Sequence, residues 1–262
     1  MRILEWSETA MAFWALVLAL TSLGWQIAKA LWTRIAQARL LVFVPGPFEV
    51  SYNNLGPLLQ LSLLFRSEGK DAFIEKVEAI VENTETNERH AFGASAFLEY
   101  RPDLLGQNPF PRLTFKESFS PFLVTAERPE KVTILFHDAK SFERMAAELN
   151  KASALIQDLS KQYGYVITDE LVDTFNKSEL ATGLWSKARD ALYLKPGNYL
   201  VTIRSHLGKR VIDASFNFNL SEQDYQTLQL NALIMTTLHK QGQQLVYNSI
   251  FPQIKNATPK GR

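Results

Sequence analysis

Four histidines, His90, His137, His206 and His239, are the side chains best suited to proton transfer or metal binding near neutral pH. None stands at i, i+4 from another or in an H-E-x-x-H arrangement, the spacings that aim two imidazoles at one zinc ion. Cysteine is absent, which removes thiolate ligands and disulfides together. His137 and Asp138 are adjacent, but neighbours on a strand point to opposite faces, so the pair reads as a strand end and not a dyad. Gly93-Ala94-Ser95-Ala96-Phe97 begins like a nucleophile elbow and lacks the closing glycine. Asp169, Glu170 and Asp173 fall where a helix should start, and the helix dipole favours carboxylates there without any catalytic role. No glycine-rich phosphate loop is present. Linear motifs therefore supply no catalytic residue, no cofactor site and no metal site.

The bulk numbers narrow the field further. Lys and Arg number 28 against 27 Asp and Glu, with no long basic run, which argues against a nucleic-acid binder. An apolar content of 46% supports a packed core. The tripeptides at Asn176, Asn219 and Asn256 match the glycosylation acceptor pattern, which is common by chance.

The elements that would position any site begin with an apolar N-terminus. No residue from Thr9 to Ala28 is charged, and at about 1.5 Å rise each these residues cover the roughly 30 Å hydrocarbon core of a bilayer. Trp6, Trp14, Trp25 and Trp32 lie in or beside this stretch, where indole rings favour the headgroup region. The sequence thus predicts a single-pass transmembrane anchor and interfacial helix extension over residues 1–39, with Trp14, Trp25, Lys29, Trp32, Arg34 and Arg39 as its interfacial residues. A cleaved signal peptide fits less well, because Glu5 and Glu8 offset Arg2 at the start. Lys29, Arg34 and Arg39 follow the span, so the positive-inside rule places the C-terminal domain in the cytoplasm. Ala12, Ala15, Ala19 and Ser22 share one helix face, the arrangement that lets two spans pack closely as a homodimer.

After Arg39 the period changes. Pro45-Gly46-Pro47 interrupts the chain, and strand-like segments follow at Phe48–Tyr52, Leu58–Arg66, Phe73–Glu82, His90–Tyr100, Leu113–Val124 and Val132–His137. A hairpin turns at Gly208-Lys209, with Tyr199, Val201, Ile203, Ala214, Phe216, Phe218 and Leu220 on its inward face. This pattern predicts a mainly β domain over 40–220, an antiparallel β-sandwich with helical additions. Its Pro-Gly-x-Tyr lead at Pro196 resembles immunoglobulin-like and fibronectin-like domains in a generic sense.

Helical periodicity interrupts the strands over about 139–194. Phe142, Met145, Leu149, Ala152, Ile156, Leu159 and Tyr163 recur at heptad spacing, closed by Gly164. Such a stripe serves either as a seam for a partner, through Phe142, Met145, Leu149, Ile156 and Leu159, or as the inner face of a helix on its own sheet. Thr168 or Asp169 is placed to cap a further short helix. A last helix is expected from Ser221 to about Gln241 within a C-terminal region of 221–262, with Asn256–Arg262 as a frayed tail.

Together these features point to a membrane-anchored interaction or scaffolding protein whose partners are membrane lipid and another protein. Two alternatives are an envelope or extracellular ligand-binding domain on the same anchor, and an enzyme whose site assembles only in three dimensions, gathering His137 or His206 with carboxylates.

Overall fold

The computed structural model describes residues 13, 17–28, 38–53, 56–101, 112–240 and 248–258. The chain is mainly antiparallel β with some helices, and its principal sheet is a nearly closed, barrel-like surface. The strands are β1 (Arg39–Phe43), β2 (Phe48–Asn53), β3 (Gly56–Glu68), β4 (Ala72–Ile74), β5 (Lys76–Asn83), β6 (Arg89–Arg101), β7 (Arg112–Ser118), β8 (Phe122–Val124), β9 (Glu130–His137), β10 (Gly197–Leu207), β11 (Arg210–Leu220) and β12 (Lys255–Thr258). The helices are α1 (Ala139–Gln162), α2 (Asp169–Asn176), α3 (Glu179–Ala191) and α4 (Glu222–Thr236).

Ten strands form one hydrogen-bonded sheet in the order β1-β3-β9-β6-β5-β10-β11-β12, with β2 added to β3 and β7 to β6. Two long strands produce this topology. β3 pairs with β2 along Gly56–Leu61 and with β1 along Leu64–Glu68. β6 pairs with β5 along Arg89–Gly93 and with β7 along Ala96–Arg101. The β1–β2 edge is a single line of chain broken by Pro45-Gly46-Pro47, where the missing proline donors exclude regular pairing. Gly46 is required there, because a Cβ would stand 2.6 Å from the Cβ of Ser62 on β3.

The C-terminal segment draws the two sheet edges together. Val50 and Ile250 exchange two backbone hydrogen bonds of 3.0 Å, and β12 then pairs with β11. Residues 256–258 are therefore strand and not the frayed tail expected from sequence; their backbone groups complete the otherwise open edge of β11. At the opposite end of the seam the Arg210 guanidinium donates to the Ala38 carbonyl at 2.8 Å. Inside, Phe48 meets Phe216 and Phe218 edge-on at 5.4 and 4.9 Å, and Tyr199 stacks on Phe218.

Every inward residue expected in the β10–β11 hairpin is buried. Two boundaries differ from expectation. Arg39 begins β1, paired with Glu68, so the helix expected to extend that far ends before it. The last helix stops at Thr236 and not near Gln241, because the Asn176 amide both donates to the Leu238 carbonyl and accepts from its N–H, at 2.9 Å each. Those bonds hold residue 238 in a conformation that leaves the helix.

Closure by aromatic packing has a measurable consequence. Phe216→Ala removes a fully buried ring that Phe48 packs against, and should destabilise the domain by about 3–5 kcal/mol in urea unfolding. A loss below about 1 kcal/mol would show that the rings do not hold the seam.

Candidate functional site

The three helices α1, α2 and α3 are attached at one end of the barrel, the end where β3 and β10 begin and β9 finishes. Asp138 makes the attachment. The residue is only 8% exposed, and its carboxylate caps α1 by accepting from the Lys140 N–H at 2.9 Å. It also accepts from the Ser141 hydroxyl at 3.0 Å and from the Tyr193 hydroxyl at 3.1 Å. Tyr193 arrives from the linker between α3 and β10, and its ring stacks on His90 of β6 with centroids 3.5 Å apart. Nearby, the Tyr52 hydroxyl of β2 donates to the Ala188 carbonyl of α3 at 2.8 Å. Gly56 lies under the start of α1 with φ of 99°, and a Cβ there would meet the Ser141 Cβ at 2.9 Å.

At this junction two tyrosine hydroxyls and one imidazole meet two carboxylates, Asp138 and Glu88, the latter 3.1 Å from the His90 ring. Burial raises the Tyr193 pKa far above its ordinary value, and the adjacent Asp138 carboxylate adds to the effect. Burial likewise raises Tyr52. Burial lowers the pKa of His90, opposed only in part by Glu88 and Asp138. Hydroxyls that stay protonated and an imidazole that stays neutral serve as fixed donors and packing surfaces.

The heptad stripe of α1 faces largely inward. Met145, Ala152 and Leu159 are buried, and Leu149 and Ile156 pack half-buried against the core. Phe142 lies on the same helix, and its side chain falls outside the described residues. Beside Leu149 and Ile156 an apolar groove of about 260 Å³ remains, lined also by Phe175, Leu184, Met235 and Leu238. Beyond the helix, Gly164 and Tyr165 are consecutive left-handed residues with φ of 70° and 63°. They turn the chain so that Tyr165, Val166 and Ile167 stand 78%, 56% and 48% exposed.

Other expected site residues are dispersed. His206 pairs with Glu78 at 2.9 Å on the outer face of β10 and β5, in line with the Arg204–Asp213 pair. His137 ends β9, while the His239 ring lies 2.7 Å from the Ile234 carbonyl. The Ser95 hydroxyl donates to the Leu135 carbonyl at a β-bulge, and Thr168 caps α2 ahead of Asp169 and Glu170. Among the described residues no group of histidine and carboxylate side chains is arranged to hold a metal ion.

In the N-terminal region, residues 17–28 are helical, and Trp25, Ala19 and Ser22 are exposed. Trp14, Lys29, Trp32, Arg34, Ala12 and Ala15 lie outside the described residues. Among the described residues no helix is long and apolar enough to cross a membrane.

At the barrel end remote from the helices, a cleft of about 500 Å³ opens between β6, β7, β8 and β9. Phe97, Phe122 and Leu123 meet Lys116, Glu117, Glu130 and Lys131 around it. No family model and no curated protein matches the chain.

The Asp138 junction generates two expectations. Asp138→Ala should cost about 2–3 kcal/mol by removing a cap and a charged acceptor, and Asp138→Asn should cost less because its amide oxygen still caps. Equal losses in urea unfolding would contradict the capping role, since the asparagine keeps the cap and lacks only the charge. For His90 the folded pKa lies below the unfolded value of about 6.5. Its contribution to stability is therefore full above about 6.5 and declines as pH falls through that value, where the unfolded chain binds more protons. His90→Phe, which keeps a stacking ring, should flatten the fall in melting temperature on this acid side; an unchanged pH profile would remove His90 from the account.

Proposed function

We propose that this chain is a single-pass membrane-anchored interaction protein, with a non-enzymatic barrel domain on the cytoplasmic side. The observation that carries the proposal is the exposure of the N-terminal helical segment. Leu18, Leu20, Leu23, Trp25 and Ile27 are 67%, 59%, 54%, 74% and 52% exposed. Apolar surface gains about 25 cal/mol per Å² on leaving water, so a row of such side chains favours a lipid or protein cover. The uncharged run reaches back to Thr9, which gives the segment the length of a span. Lys29, Arg34 and Arg39 on its C-terminal side favour a cytoplasmic domain, and Ala12, Ala15, Ala19 and Ser22 offer a face for pairing two copies.

The interaction role is supported by the helical layer. Tyr165, Val166 and Ile167 form an exposed apolar knob, and the groove along Leu149 and Ile156 is an apolar depression suited to a protein side chain. Asp138, Ser141 and Tyr193 are engaged in a cap and hydrogen bonds that fix the layer on the sheet, which suits a platform for a protein partner.

Topology tests the proposal. In intact cells expressing the full chain, a C-terminal reporter that works only in the cytoplasm should be active, and protease added outside should leave the domain whole. Cleavage of the domain by external protease would contradict the cytoplasmic placement and favour the ligand-binding alternative outside.

A further inference from the structure

β4 and β8 form a separate two-stranded sheet at the barrel end remote from the helices. One face of this flap is inward: Ala72, Ile74 and Val124 are 2%, 0% and 0% exposed. Glu75 is held to the end of β10 by a hydrogen bond from its N–H to the His206 carbonyl, 2.9 Å long. Phe122 packs edge-on against Phe65 of β3 and Phe97 of β6, at 5.4 and 5.6 Å. The Asp71 carboxylate accepts from the Ala126 N–H at 2.8 Å and fastens the two strands at their open end. The flap is thus a rigid cover across the end of the barrel.

Its other face presents Phe73 and Leu123. They are direct cross-strand partners, and each is 53% exposed. A solvated outer strand face ordinarily carries polar residues, so a paired Phe and Leu here mark a surface that is covered in use. The flanking charges are Lys70 with Asp71, Glu75 with Lys76, Glu127 with Arg128, and Glu130 with Lys131. Cations and anions alternate and cancel, so the face carries little net field to draw in a charged partner.

The position of the N-terminal segment identifies the cover. The chain enters the barrel at Ala38 and Arg39, and Arg39 pairs with Glu68 at the end of β3. Phe73 follows Glu68 by five residue steps, a reach of at most about 18 Å. The apolar pair therefore lies at the same end of the barrel as the connection to the exposed helical segment. We infer that Phe73 and Leu123 insert into the interfacial region of the bilayer that holds the N-terminal segment, seating the barrel flap-down with its helical layer directed away. This inference rests on the anchored reading proposed above. Apolar side chains inserted at the headgroup level need no net charge, which agrees with the cancelled charges around the flap.

The absence of cysteine makes the test direct. Full-length chains carrying Phe73→Cys, Leu123→Cys or, on the helical layer, Thr174→Cys are labelled with a polarity-sensitive fluorophore and reconstituted in phosphatidylcholine vesicles containing headgroup-level quencher lipid. Labels at 73 and 123 should be quenched several-fold more than the label at 174, with no change on raising the salt concentration. A further label at Thr125→Cys should lose its quenching when Phe73 and Leu123 are both replaced by Ser, while the thermal unfolding of that variant shows the domain folded. Equal quenching at 73, 123 and 174 on vesicles that carry the protein overturns the inference and leaves the anchor intact. Quenching abolished by salt overturns the apolar insertion. A chain that does not float with the vesicles at all overturns the anchor, and the inference with it.

Discussion

The buried carboxylate of Asp138 is the constraint on which the arrangement of this protein depends. It ends β9, begins α1 and binds the Tyr193 hydroxyl of the linker that leads into β10. A carboxylate in a residue only 8% exposed is costly to bury unless its lone pairs are filled, and three donors from two points in the chain, the start of α1 and the linker before β10, fill them. The same contacts therefore stabilise the charge and fix the helical insertion on the sheet. Tyr193 extends the junction to His90, so β6, β9, α1 and the start of β10 meet at one point.

From that junction the barrel acquires two dissimilar ends. The division follows from β3 and β6, each of which exchanges one neighbour for another along its length. At the Asp138 end their partners are β2 and β5, and the helices close the space. At the other end the partners are β1 and β7, and the β4–β8 flap lies there with its buried Ala72, Ile74 and Val124. The N-terminal connection reaches the barrel at this second end. In our proposal, membrane attachment and presentation of the helical layer fall at these two opposite ends of the domain.

Much of this was legible in the sequence, and the parts that were not have physical reasons. Alternation in Tyr199–Ile203 and Ala214–Leu220 identified the inward face of the hairpin, and the heptad stripe identified the inner face of α1. The nearly closed, barrel-like form of the sheet was not legible, because period-two alternation is the same in a sandwich and in a barrel. Closure depends on Val50 meeting Ile250, a contact that no local pattern encodes. The turn chemistry of Pro45-Gly46-Pro47 was visible, whereas the close approach of Gly46 to Ser62 was not. Asp138 had a signal in its place just before a helix, the position of a cap, but the converging Tyr193 and Ser141 hydroxyls come from tertiary structure. The outward pairing of Phe73 with Leu123 was hidden inside two longer strand-like runs that the structure divides into β4–β5 and β7–β8.

The account stands on the separation of an anchor from a self-sufficient barrel. Residues 38–262 contain every strand and helix of the described core, and none of the described core residues lies in the exposed segment at residues 17–28. The most direct test is flotation with lipid vesicles after an alkaline carbonate wash, comparing the full chain with residues 38–262. The account predicts that the full chain floats with lipid, while the shorter chain stays in the soluble fraction and still unfolds in one cooperative thermal transition. A full chain released by carbonate into the soluble fraction would contradict it.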